Sequence, residues 1–199
     1  AMVENENTII LDTSTAHRTE AGWAYGYPEL SAAHREAIRT GKRIAVPGCY
    51  ATGFITTAYA LTAGGILPKD YPVSAFAVSG YSGGGKKMIA QYQAQDKEKE
   101  LSSARLYALS QSHKHLKETK AISGLERTPL FSPMVTDYYS GMTVSLTFYA
   151  DMLNGRQTPE TVREYLAKHY AGEKFITVQP LGAEAESGGV LFSSARSGW

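Results

Sequence analysis

The short apolar run Ile44-Ala45-Val46 is broken by Pro47-Gly48 and followed at once by a helical pattern. In that pattern Thr52, Ile55, Thr56, Tyr59, Ala60 and Leu61 recur at roughly helical spacing. A strand feeding a helix through a two-residue break limits the possible folds more than any other feature of the chain. Cys49, the only cysteine in 199 residues, stands at the helix start. Unpaired amides and the positive end of the helix dipole favour a thiolate there, and the thiolate is the nucleophile. The competing reading is a small buried apolar side chain. A single cysteine forms no internal disulfide, which suits a reducing cytoplasm.

Further elements flank this junction. Residues 8–12 read as a buried strand, 31–40 as a helix capped by Ser31 and stopped by Gly41, and 42–46 as the strand leading to Cys49. The helix after Cys49 ends near Gly64-Gly65, and 73–78 is a strand that runs into Ser79-Gly80-Tyr81-Ser82-Gly83-Gly84-Gly85. Residues 95–100 form a charged helix end or loop, 105–109 a strand, and 116–122 a short helix. From Met134 to Tyr149 lies the longest β-like stretch, with Val144, Leu146 and Phe148 on one face and Thr143, Ser145 and Thr147 on the other. Thr158-Pro159 opens a helix that reaches about Tyr170, and 174–179 reads as another strand. This order implies an α+β fold with a mixed, largely antiparallel sheet and helices packed on one face.

The formal net charge is +1 and no basic stripe with interleaved aromatics occurs, so nucleic acid is not an evident partner. No run of eighteen apolar residues suggests a membrane span.

Several polar clusters are candidates to join Cys49. His113 and His115 lie two apart, so on an extended segment both point to one side, where one can serve as acid and base. Alternatively they belong to a surface His-Lys-His loop; a metal site lacks the further ligands it needs. Arg18 can fork onto a carboxylate or phosphate, or pair with Glu20 on the surface. The glycine run at 79–85 permits close approach of an anion or a ring but matches neither Gly-x-x-x-x-Gly-Lys-Ser/Thr nor Gly-x-Gly-x-x-Gly. The Tyr25–Leu30 turn and Tyr138–Met142 are more often packing than chemistry. The local signatures of cysteine proteases are absent.

Six segments taken together resemble the N-acetyl-γ-glutamyl-phosphate reductases of arginine biosynthesis, in their shorter, second type. They are 11–18 (LDTSTAHR), 25–30 (YGYPEL), 46–52 (VPGCYAT), 79–85 (SGYSGGG), 113–118 (HKHLKE) and 138–142 (YYSGM). The resemblance implies the catalytic-domain fold of glyceraldehyde-3-phosphate dehydrogenase-like enzymes. It implies that Cys49 attacks an acyl phosphate, that NADPH reduces the thioester, and that one histidine, His115 rather than His113, handles protons. It further implies that Arg18, Ser14, Tyr50 and Glu29 bind substrate, and that Ser79, Gly80, Ser82, Gly83 and Gly84 line the NADP(H) side. A homo-oligomer, dimer or tetramer, is expected, with no metal.

The family's N-terminal dinucleotide-binding fingerprint has no counterpart in this sequence. Residues 1–18 are therefore expected to be a vector remnant plus the tail of that domain. Residues 19–199 are expected to be a catalytic and dimerisation domain cut short at its C-terminus, inactive alone, with the main NADP(H) site elsewhere. Two alternatives stand beside this one: an aspartate-semialdehyde dehydrogenase-like enzyme, and a non-catalytic oligomerisation module.

Overall fold

The computed structural model describes residues 5, 7–191 and 193. Three short strands come first: β1 (Ile10–Asp12), β2 (Ala24–Tyr25) and, after helix α1 (Ala32–Thr40), β3 (Arg43–Ala45). They form a parallel sheet in the order β1-β3-β2. The Ser31 side chain caps α1 by accepting from the His34 amide, and the Gly41 amide closes the helix on Ala37 O at 2.9 Å. The boundary expected at 18/19 falls between β1 and β2, both of which pair with β3. Ala1, read as vector sequence, and the terminal Trp199 lie outside the described residues.

Helix α2 (Cys49–Ala63) is the centre of the molecule. It is apolar nearly all round, as a buried helix must be, and Phe54, Ile55, Ala58 and Leu61 are almost inaccessible to solvent. Next come β4 (Ser74–Gly80), α3 (Gly85–Gln93), β5 (Arg105–Leu106), α4 (Leu116–Ser123), β6 (Leu130–Thr136), β7 (Met142–Thr147) and α5 (Pro159–His169). The second sheet has the order β5-β6-β4-β7; β4 and β6 run parallel, and the other two pairings are antiparallel.

The register sets the faces. Ala75 and Ala77 lie opposite Leu146 and Val144 on β7, and opposite Phe131 and Pro133 on β6, all turned toward the core. The α2 helix packs on this face. A β-carbon on Gly53 would lie 2.7 Å from Val144 Cγ2, so glycine is what lets helix and sheet approach this closely. Phe76 and Leu130 project from the other face, exposed.

This is the expected mixed α and β architecture, accompanied by a separate small parallel sheet. Three local readings need correction. The period-two stretch 134–149 is two strands, and both border β4 rather than each other. The turn at 137–141 crosses the end of β4, where Tyr138 O and Tyr139 O accept from the Tyr81 and Ser82 amides at 3.0 and 2.9 Å. Residues 174–179 form no strand; Val178 O and Gln179 O instead accept from the Arg163 side chain. Helix α3, hidden in the sequence by the glycines at its start, follows the glycine run directly.

Candidate active site

Strand β3 ends at Ala45, and Pro47-Gly48 redirect the chain into α2, whose first residue is Cys49. Gly48 is the N-cap and has no side chain to offer the helix. The first amide to bond back is that of Thr52, to Gly48 O at 2.8 Å, so the amides of Cys49, Tyr50 and Ala51 have no intrahelical acceptor. Cys49 is exposed and borders a cavity of about 660 Å³.

Gly48 is the point where three side chains converge. A β-carbon there would lie 2.6 Å from both Arg18 Nη1 and Glu118 Oε1, and closer still to His115 Nε2. Glu118, only 2% exposed, accepts from Arg18 Nη1 at 2.6 Å, from the Tyr25 hydroxyl at 3.0 Å and from the Gly48 amide at 3.2 Å. Burial, and then the charge of Glu118, pushes the Tyr25 hydroxyl pKa upward. Arg18 is also buried and donates to Val46 O at 2.9 Å and to Thr13 O at 3.0 Å. It does not pair with Glu20, which meets Lys117 instead.

His115 is buried, and its pKa is pushed down to about 3, first by burial and then by the positive charges of His113, Arg18 and Lys114. The imidazole is therefore neutral at ordinary pH. The His113 ring lies 4.7 Å away; its Nδ1 accepts from the His115 amide at 3.2 Å, so when neutral it carries its proton on Nε2. Burial and Lys114 lower the His113 pKa as well. The Phe131 ring packs edge-on against His113 at 5.1 Å and against Tyr50 at 5.3 Å, which fixes that wall. The Tyr50 hydroxyl bonds Ser79 Oγ at 2.6 Å.

Of the residues singled out from the sequence, Cys49, His113, His115, Arg18 and Tyr50 all border the cavity. Ser79, Gly80, Ser82, Gly83 and Gly84 form the facing wall. Ser14 and Glu29 do not line it: Ser14 bonds the Asp12 carboxylate, and Glu29 sits in the single 3₁₀ turn Pro28–Leu30. From the sequence alone Glu118 and Tyr107, which lines the cavity, carry no assigned role, and Tyr25 only packing. The signal for Glu118 was its spacing of three from His115 at a helix start, which puts both on one side. Among the described residues, no group of three or more His, Cys, Asp or Glu is placed to hold a metal ion. No helix among them is long and apolar enough to cross a membrane.

The sequence model for the semialdehyde dehydrogenase dimerisation domain matches residues 49–193. The chain belongs to this family. The N-acetyl-gamma-glutamyl-phosphate reductase of Sinorhizobium fredii is 44% identical over 186 residues, 92% of this chain and 60% of that protein. The enzyme of the same name from Rhizobium meliloti is 44% identical over 94% of this chain and 61% of its own length. The chain thus spans about 60% of the length of these relatives. Among solved structures, aspartate semialdehyde dehydrogenase from Francisella tularensis superposes with a TM-score of 0.57 at 13% identity, covering 81% of this chain and 56% of that one. Aspartate semialdehyde dehydrogenase II from Vibrio cholerae gives 0.56 at 14% identity, covering 80% and 53%. These two likenesses establish the shared fold.

Proposed function

We propose that this chain carries the acylation machinery of an N-acetyl-γ-glutamyl-phosphate reductase, a cytoplasmic enzyme of arginine biosynthesis. The observation that carries the reading is Cys49 as the first residue of α2, beside a neutral His115 whose Nε2 faces Gly48. Relatives 44% identical over most of the chain bear that enzyme's name.

The thiol of Cys49 gives its proton to His115, assisted by a helix start that favours negative charge. The thiolate attacks the acyl carbon of N-acetylglutamyl 5-phosphate; the C–S bond forms, the C–O bond breaks, and phosphate leaves. An incoming phosphoryl dianion offsets the positive charges that, after burial, hold His115 neutral. The unpaired amides at the start of α2 stabilise the oxyanion at the acyl carbon. NADPH, when bound, supplies the hydride that brings the thioester to the aldehyde level. His115 then gives its proton to the oxygen and takes it back as the Cys49 thiolate departs with release of the semialdehyde.

The wall from Ser79 to Gly84 fits the nicotinamide end of a dinucleotide. Nothing lies within 4 Å of where a Gly83 β-carbon would sit, and α3 begins without a side-chain cap. The main contacts to NADP(H) are proposed to lie outside the described residues. The exposed face of the second sheet, with Phe76 and Leu130, is proposed to pack against another copy in a dimer or tetramer.

The acylation step needs no dinucleotide, so it can be tested with this chain alone. Mixing it with N-acetylglutamyl phosphate should release a burst of phosphate close to one equivalent per Cys49. Cys49→Ser should abolish the burst. A burst that survives the substitution would refute the reading.

A further inference from the structure

The sequence points to Arg18 as the anchor for an anionic substrate, but the charges around the cavity point elsewhere. Arg18 already faces the Glu118 carboxylate at 2.6 Å and spends two further N–H groups on backbone carbonyls. An incoming anion meets this pair as nearly neutral. Both histidines are held neutral. Among the described residues no Asp or Glu lines the cavity, and the glycine wall contributes only neutral groups. Lys114 is left: it lines the cavity, makes no ion pair among the described residues, and is exposed, as is Cys49.

We infer that Lys114 selects anionic acyl substrates by pairing with the carboxylate of the acyl group. The inference rests on Cys49 being the acyl acceptor. A carboxylate is the right target because it persists from acyl phosphate through thioester to aldehyde, whereas the phosphoryl group leaves in the first step. A lysine suits the task, since its ammonium rides on a flexible stem and can follow the acyl chain as the carbon changes geometry.

The test compares alkylation of Cys49 by iodoacetate, which carries a carboxylate, and iodoacetamide, which is neutral and nearly the same shape. Both read the same thiolate population, so their rate ratio isolates the charge near the sulfur. At low ionic strength the ratio at Cys49 should exceed that of 2-mercaptoethanol by about threefold, the scale of one cation within several ångströms in a watery site. It should fall to the small-thiol value in Lys114→Met, persist in Lys114→Arg, and shrink in high salt. Lys114 is exposed, so these variants are expected to fold. A ratio unchanged by Lys114→Met would overturn the inference. If both reagents were slow, the nucleophile reading would suffer while the ratio still judged Lys114.

Discussion

Gly48 and Glu118 are 70 residues apart in the chain, yet the amide of the first donates to the carboxylate of the second at 3.2 Å. In a capping box the side chain at the third helical position binds the N-cap amide. In α2 that position is Ala51, which has nothing to bind with, and Glu118 of α4 supplies the contact from across the fold. The same carboxylate neutralises Arg18 and holds Tyr25. One buried group thus ties the first sheet and α4 to the backbone immediately before the nucleophile.

Removing the charge but not the shape should be costly. Glu118→Gln leaves the buried Arg18 guanidinium without its counter-ion, and the expected loss is about 3 kcal/mol of unfolding free energy. Urea denaturation measures it. The double variant Arg18→Met, Glu118→Leu removes both charges and is expected to recover more than half of that loss. Equal losses in the single and double variants would show that the pair is not the source.

Gly48→Ala tests the convergence directly. The added methyl must displace Arg18, Glu118 and His115 together, because it would lie 2.6 Å or less from an atom of each. A displacement on the order of 1 Å at His115 is expected to lower the rate of the phosphate burst by about 100-fold. Stopped-flow phosphate detection reads this, with circular dichroism to check that the fold persists. A rate within threefold of the parent would mean that the site yields easily.

His115 makes stability depend on acidity in a defined direction. Its folded pKa is about 3, below its ordinary 6.5, so between those values the unfolded chain binds the proton and the folded chain does not. Stability therefore falls as the pH drops from 6.5 toward 3. From pH 6.5 to 5 this one group should cost about 2 kcal/mol. His115→Gln should flatten the profile of unfolding free energy by that amount over the same window, and an unaltered profile would contradict the burial argument.

How much of this was legible in the sequence depended on whether the signal was local. Ser31 and Gly41 bracket α1, and Thr158-Pro159 start α5, because caps act on their own neighbours. The Cys49 junction was equally clear, since a strand, a break and a helical period meet within a few residues. The Glu118 network was not, because its partners come from positions 18, 25 and 48, and nothing at 118 marks a carboxylate as buried. The same non-locality misled the reading of 134–149. The residues alternate correctly, but only the carbonyls of 138 and 139, drawn onto the end of β4, split them into two strands. Arg18 lines the cavity, and its counter-ion can be seen only in three dimensions.

The loop that delivers His113 carries backbone strain, and a substitution series should expose it. Gln111 has φ of 56°, in the left-handed region, yet it is not glycine. Its side-chain oxygen accepts from the Phe131 amide at 2.8 Å, and its side-chain nitrogen donates to Phe131 O at 3.0 Å. The amide group thereby continues the edge of β6 as a missing strand would, and it steadies the ring that packs on His113. Gln111→Ala keeps the strain and loses the clamp, with an expected cost of about 2 kcal/mol. Gln111→Gly loses the clamp but relieves the strain, so it should be more stable than the alanine variant by about 1 kcal/mol. In both, hydrogen exchange at the Phe131 amide should accelerate relative to the parent. If alanine and glycine were equally stable and Phe131 stayed protected, neither the strain nor the clamp would be what holds His113 at the cavity.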